Sequence, residues 1–558
     1  MFLLGSLCIT ITYTSPFYLD LLNRHLELFI ETYIIVFIIS IIPHQIRTYI
    51  RVILCLFLYS IAIIDIFCFT RLGSTLSANI TQLILETSIN EATNFFNSYV
   101  TGDLLLSSIS LILFLAIIHC ATQFFFQKTI YYYINKLKRV HFFPLILCIF
   151  LIWGGIFYIP NTSNRIEFFN LKSEKEVADF YASDYRRIKI NYLPFYRLIT
   201  SLYTNHLSQK QIATYLSHFK TIKVDNCEFI SPNIVLIIGE SYNKHHSQLY
   251  GYQMPTTPFQ MKEDLFIFKD AVTSHNLTSE VFKNLFSLNN SSASEDWCEK
   301  PLFTQIFKTA GYNVSFISNQ YILEDLSDFS AGAFINNSEI SNLQFNQRNT
   351  VKYSYDMELL KDYNRMNLNN KINTLTIFHL IGQHNDYDER YPKQYQELTR
   401  NKYHRKDLTT NELSVVIAYD NATRYNDEVI RSFINYYAYT NTIILYLSDH
   451  GEECYDEIKT FGRSHNNHIN KIIAKNEFEI PFWIWCSKEY RVSHPEIVEE
   501  INAASKKPFY SSDLGHIMLY LAGITCSYYQ EENNILSPRY NTKKKRLMRG
   551  SVFYEDLE

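Results

Sequence analysis

No Cys-x-x-Cys pair occurs anywhere in this chain of 558 residues, which argues against a structural zinc finger. Neither sign of charge dominates: the formal net charge is −4, and this speaks against a nucleic-acid partner. Internal repeats are absent. No basic stretch precedes the first apolar run and no small-residue cleavage site is obvious, which disfavours a signal peptide. Cysteine is sparse. Cys8, Cys55, Cys68, Cys120 and Cys148 lie in or near apolar runs, and Cys227, Cys298, Cys454, Cys486 and Cys526 come later. An odd number on an oxidising side leaves at least one unpaired, and Cys454 and Cys486, near strand ends, read as buried free thiols.

What is present divides the chain in two. Residues 1–160 are densely apolar, whereas 161–558 have a soluble composition. A membrane span needs about 20 mostly apolar residues. Five candidates follow: roughly 2–19, 28–46, 52–70, 104–126 and 142–159. The first is broken by Thr and Ser and carries Pro16; the second has Glu27 and Glu31 at its outer edge. Arg47 and Arg51 mark one loop, and Lys128, Lys136, Lys138 and Arg139 another. The loop 71–103 has Arg71 as its only cation, against Glu86, Glu91 and Asp103. Positive loops stay inside, so loop 71–103 and everything after residue 160 are expected outside, the periplasm in a bacterium. Asp65 within the third span is either a functional carboxylate or one that snorkels to the outer edge.

The second part alternates strands with helices. Strand-like runs recur at 233–239, 312–318, 374–381, 442–448 and 481–487, with helical patterns at 301–311, 411–436 and 511–523. That order predicts an α/β domain with a mainly parallel sheet flanked by helices. The expected organisation is a transmembrane domain over 1–160, a helical linker at the membrane surface over 161–228, a catalytic domain over 229–545 and a tail over 546–558. The basic run 542–550 reads by default as a solvated end.

Three of the strands run straight into metal-type ligands: NIVLIIGES at Glu240, TLTIFHLIGQH at His384, and TIILYLSDHG at Asp449 and His450. Ligands in open α/β sheets sit beyond the carboxyl ends of strands. Two carboxylates and two imidazoles gathered there suit zinc. The competing readings are ordinary ones: Glu240 as a carboxylate at a helix start, Asp449-His450-Gly451 as a polar turn. His379, inside a strand, reads as structural.

The segment NIVLIIGESYNKHHSQLYGYQMPTTPF, with IGQHNDYDERYP, AYDNATRYND and YLSDHGE, resembles the membrane-bound phosphoethanolamine transferases of the alkaline phosphatase/sulfatase superfamily, lipid A and lipopolysaccharide-modifying type. That family's plan is five spans with an outer catalytic domain. The resemblance implies zinc, one ion or two, held by Glu240, Asp449, His450 and the hydroxyl of Thr278, which is also the nucleophile. Thr273 and Ser279 are rival hydroxyls, and Thr278 reads alternatively as the N-cap of a helix beginning near Ser279. His384, His465 and Arg463 are implied to bind phosphate or a second zinc, with His468 competing for the place of His465. Glu86, Thr87, Asn90 and Glu91 resemble a family loop and are assigned to the ammonium of the donor.

Departures matter too. Sulfate-ester hydrolases need Cys or Ser in a Cys/Ser-x-Pro-x-Arg context, which the stretch around Thr278 lacks. No Cys lies between 228 and 297, so the disulfide that holds this loop in many lipid A modifying members is missing. The implied reaction is transfer of phosphoethanolamine from phosphatidylethanolamine to lipid A or the lipopolysaccharide core, releasing diacylglycerol, in a bacterial inner-membrane enzyme. The alternatives are a phosphoglycerol transferase with a glycan or teichoic-type acceptor, and an inactive membrane-anchored binding or sensor protein.

Overall fold

The computed structural model describes residues 1–558 except 14–17, 73–74, 79, 82–106, 127–131, 133–142, 174–175, 178–179, 182–183, 291–294, 321–331, 367–370, 385, 464–468, 551 and 558. Glu86, Thr87, Asn90, Glu91, His465 and His468 therefore lie outside the described residues. Two compact units divide between Gln209 and Lys210.

The first unit is helical: α1 (Phe2–Ile11), α2 (Tyr18–Ile41), α3 (His44–Leu72), α4 (Ser108–Phe125) and α5 (Phe143–Phe168), then the start of α6 (Pro194–Phe219). The expected helix over 2–19 is not continuous. α1 has 10 residues and ends ahead of Pro16, with Thr10 and Thr12 hydroxyls bonded back to carbonyls four residues earlier. Proline disfavours helical backbone in the residue before it, and hydroxyl back-bonding weakens the last turn. Among the described residues one helix, His44–Thr70, is long and apolar enough to cross a membrane by that measure.

Buried charges tie these helices together. Glu27 and Glu31 lie within α2 rather than at its edge, and Arg165 of α5 reaches both, at 2.7 and 2.8 Å. Asp65 neither snorkels nor stands free: it is fully buried and takes two hydrogen bonds from Arg197, at 3.0 and 2.6 Å, plus one from the Leu76 amide. A buried carboxylate persists where a matched cation and further donors satisfy it, and Arg197 comes from a segment far along the chain.

The second unit is built on a seven-stranded sheet. In chain order its strands are β1 (Asn233–Gly239), β2 (Phe266–Phe268), β3 (Asn313–Ser318), β4 (Gln347–Arg348), β5 (Thr374–His379), β6 (Thr442–Ser448) and β7 (Phe482–Cys486), arranged β2-β7-β6-β1-β5-β3-β4. β1 lies in the middle, parallel to β5 and β6. Its side chains alternate between two apolar layers: Ile234, Leu236 and Ile238 face one, Val235 and Ile237 the other. A strand buried on both faces has no polar alternation, which is why its sequence is a continuous apolar run. One layer receives α7 (Thr278–Phe286), α8 (Phe303–Thr309) and, later in the chain, Leu514–Ala522. The other receives α9 (Thr410–Tyr437), through Val429, Ile430 and Phe433. α9 starts at a capping box of Thr409 and Glu412.

The sheet is mixed, because β7 runs antiparallel to β6 and β2. The chain between β6 and β7 leaves and returns at the same end of the sheet, with Ser448 N bonded to Pro481 O. It makes no helical crossover, so it delivers a reversed strand. The basic tail is docked, not solvated. Arg546 is 5% exposed and pairs with Asp270 and Glu555, Lys544 with Asp513, and Leu547–Met548 closes a small ladder with Val552–Phe553. All ten cysteines are free.

Candidate metal centre

Register brings the site together. Gly239 of β1 sits opposite Ser448 of β6, and Ile238 opposite His379 of β5. The next residues on each strand therefore emerge at one level: Glu240 after β1, Asp449 and His450 after β6, and the turn to His384 after β5. Ligand atoms of Glu240, Asp449 and His450 all lie within 4.8 Å of one another, and all three residues are fully buried.

Each side chain is held by neighbours. His450 Nδ1 lies 2.8 Å from the Gly451 carbonyl. A carbonyl can only accept, so Nδ1 carries a proton and Nε2 is turned inward to the carboxylates. Nε2 is 3.4 Å from Glu240 Oε1 and 3.3 Å from Asp449 Oδ2. Asp449 Oδ1 accepts from the amides of Ser241 and His450, at 3.0 and 2.6 Å. Its Oδ2 is buried with no hydrogen-bond partner among the described residues. Glu240 Oε1 accepts from Ser241 Oγ at 2.8 Å, and Oε2 from Gln320 Nε2 at 2.9 Å. Gly451 lets this turn close: a Cβ there would stand 2.2 Å from the Asn476 carbonyl.

Thr278 faces the same point. It is the first residue of α7, with Leu277 as N-cap, so it is neither the cap nor one residue ahead of the helix. Its Oγ1 donates to Glu240 Oε2 at 3.1 Å and lies 3.4 Å from His450 Nε2. Of its rivals, Thr273 is committed elsewhere, accepting from Ser511 Oγ at 3.2 Å. Arg463 reaches the centre as well, its NH1 3.3 Å from His450 Nε2. His384 ends the turn after β5, with its amide bonded to Ile381 O. Burial holds its imidazole below the ordinary range, with Glu240 pulling it up and Arg463 pulling it down. It stands within reach of these charges but outside the three-residue cluster.

The electrostatics call for a cation. Burial, and then the charge of Glu240, push the Asp449 carboxyl up to about 7. Against burial, the hydrogen bond and charge of His450 hold Glu240 well below the usual carboxylate range. Two carboxylates enclosed together with one oxygen unpartnered among the described residues, an imidazole nitrogen and a hydroxyl form a donor set of the kind that zinc takes.

Several further residues here are not marked as site residues by the sequence alone. Gln320, two residues beyond β3, donates to Glu240 Oε2 and to Leu380 O, and its Nε2 lies 3.1 Å from His379 Nε2. His379 keeps a neutral ring, because burial lowers its imidazole to about 3. It is structural, as its place inside a strand suggests, but its position is next to a ligand-type residue. Asp356 accepts from the amides of Ile381 and Gly382 and fixes the turn that leads to His384. Glu452, directly after the Ser-Asp-His-Gly turn, bonds the Tyr387 hydroxyl.

Comparison with known proteins places this arrangement. The family model described as Sulfatase matches residues 232–524, more than half of the chain. Phosphoethanolamine transferase EptC of Escherichia coli strain K12 is 26% identical over 485 residues, covering 84% of this chain and 79% of that protein. Phosphoethanolamine transferase EptA of Helicobacter pylori is 30% identical over 303 residues, 51% of this chain and 54% of that one. The crystal structure of the C-terminal periplasmic domain of EptC from Escherichia coli, in complex with Zn, superposes with a TM-score of 0.52 at 26% identity, covering 60% of this chain and 96% of that one. The chain belongs to the sulfatase family, in the branch of the phosphoethanolamine transferases.

Proposed function

We propose that this sulfatase-family enzyme moves phosphoethanolamine from phosphatidylethanolamine to a phosphate of lipid A or a sugar of the lipopolysaccharide core, by way of a covalent intermediate on Thr278. The observation that carries the reading is the convergence of the Thr278 hydroxyl with Glu240, Asp449 and His450 around a carboxylate oxygen that lacks a partner among the described residues. Glu240, Asp449, His450 and Thr278 would hold zinc. When bound, the ion acts as a Lewis acid and makes a hydroxyl nucleophilic near neutral pH.

Thr278 Oγ1 forms the new bond to phosphorus. The bond between phosphorus and the diacylglycerol oxygen breaks, and that oxygen leaves with a proton as diacylglycerol. The first amides of α7 point toward the phosphoryl oxygens from the helix N-terminus, and Arg463 supplies a fixed positive charge beside them. In the second half, an acceptor oxygen attacks the same phosphorus and returns Thr278 to its free hydroxyl. His384 and His465 are assigned to phosphate or to a second ion, and Glu86, Asn90 and Glu91 to the donor ammonium. Residues 1–160 would anchor the enzyme in the inner membrane, where the donor and the diacylglycerol product reside. Residues 161–228 link that anchor to a periplasmic catalytic domain over 229–545, with 546–558 as its tail.

Mass spectrometry of lipid A and core oligosaccharide tests this in cells expressing the intact chain or Thr278→Ala. One phosphoethanolamine added by the intact chain alone is expected. The same addition by both would remove Thr278 from the chemistry, and a phosphoglycerol addition would replace the donor.

A further inference from the structure

A groove of about 560 Å³ lies on the second unit, between the segment that follows His384, helix α9 and the strand residue Phe461. Two of its lining residues lie on segments that lead to the metal-type centre. Tyr387 lines the groove while its hydroxyl bonds Glu452, two residues past His450. Phe461 lines it two residues before Arg463, which reaches His450. The groove is thus built on the same segments that carry the centre. Its size falls within the range of small-molecule sites, about 300–1,000 Å³.

The lining has a definite chemistry. Phe461 is 42% exposed, with its ring edge-on to Tyr387 at 6.1 Å. Tyr391 joins these rings, and Asp386, Asp388 and Arg400 stand among them. A flat apolar ring left open to water is a stacking surface. Carboxylates accept hydrogen bonds from hydroxyls, and a guanidinium donates to ring and hydroxyl oxygens. Two carboxylates against one guanidinium leave the lining negative, which disfavours a phosphate here. A bare ammonium would gain from the carboxylates, but it would occupy a small part of the space and be opposed by Arg400. A hydroxyl-rich ring with an apolar face satisfies every one of these groups.

We propose that this groove is the acceptor subsite and takes neutral sugar rings of the acceptor glycolipid. The inference rests on the transferase reading above and narrows it, because it places a saccharide, not a lipid phosphate, next to the centre.

The test uses the full-length protein in detergent. The donor half-reaction is read as diacylglycerol released from phosphatidylethanolamine without acceptor, about one equivalent per enzyme. The complete reaction is read at varied concentrations of lipopolysaccharide core oligosaccharide. Phe461→Ala removes the open ring, and Ser414→Trp fills the groove from the exposed surface of α9. Both are expected to raise the KM for the oligosaccharide at least tenfold while diacylglycerol release stays within twofold, and Phe461→Tyr is expected to restore the parent KM. An unchanged oligosaccharide KM in both variants overturns the proposal. A raised KM for phosphatidylethanolamine in place of the oligosaccharide also overturns it and makes the groove a headgroup subsite. No diacylglycerol release by the parent protein would sink the transferase reading itself, and this inference with it.

Discussion

Asp449 uses its two oxygens differently. Oδ1 is held by two backbone amides, which fixes the carboxylate plane, while Oδ2 is buried toward Glu240 and His450 with no partner among the described residues. A buried unsatisfied carboxylate oxygen is costly unless a cation meets it. Replacing Asp449 by Asn keeps size and shape but removes the charge that would hold the ion. Zinc affinity of Asp449→Asn is expected to fall by more than about 100-fold, because even partners one shell further out are worth about 10–100-fold. Gln320→Ala, which removes one of the two donors to Glu240 Oε2, is expected to fall within that smaller range. Competition with a chelator, read by metal content, checks both, and undiminished affinity in Asp449→Asn would refute the ligand assignment. The contrast also explains what can be read from sequence. Glu240, Asp449 and His450 each end an apolar strand, and strand ends converge, so the residue types alone suggest the site. Gln320 follows a strand too, but Asn319-Gln320 looks like any polar turn. Its meaning depends on His379 and Leu380 arriving from the neighbouring strand.

Among the elements, the turn after β5 tolerates little change. Asp356 accepts the Ile381 and Gly382 amides, and Gln383 N donates to Glu240 O, so the turn lies directly on the backbone of a ligand-type residue. Gly382 has φ of 47°, and a Cβ there would stand 2.8 Å from Glu240 O and 2.9 Å from Glu240 N. Gly382→Ala is therefore expected to destabilise the fold by about 1–3 kcal/mol and to displace Glu240. Thermal unfolding with and without added zinc reads both effects: the midpoint falls, and the rise that zinc produces shrinks. A lower midpoint with the full zinc-dependent rise would confine the damage to the turn. The strands themselves were legible because double-sided burial leaves a continuous apolar run. The direction of β7 was not, since periodicity carries no sign. It follows from a connection that starts and ends at the same end of the sheet. Likewise the composition of residues 2–19 hides the break that follows Ile11.

At the scale of the second unit, His246 is a buried clamp between segments far apart in the chain. Nδ1 contacts Asp420 of α9 at 2.6 Å, and Nε2 contacts Asp456 at 2.9 Å. Tyr252 and Tyr403 hydroxyls donate to the other oxygen of Asp420, at 2.9 and 2.7 Å. Burial lowers the imidazole, but Asp456 and Asp420 outweigh it and raise the ring to about 10. The unfolded chain releases this proton near pH 6.5. A group whose folded pKa is the higher one stabilises fully below the unfolded value, and loses that contribution as pH climbs to the folded value. The opposite term, from the depressed Asp456 carboxyl, acts only as pH falls toward the ordinary carboxylate range, outside this window. Urea midpoints are therefore expected to decline between about pH 6.5 and 10. Tryptophan fluorescence is the suitable probe, since Trp297, Trp483 and Trp485 all lie in this unit and only Trp153 lies in the other. His246→Gln removes the titrating group, so its midpoint should start lower and decline less steeply over that range. Parallel declines in parent and variant would show that other groups set the alkaline limit, and that the clamp is held by shape and neutral hydrogen bonds alone.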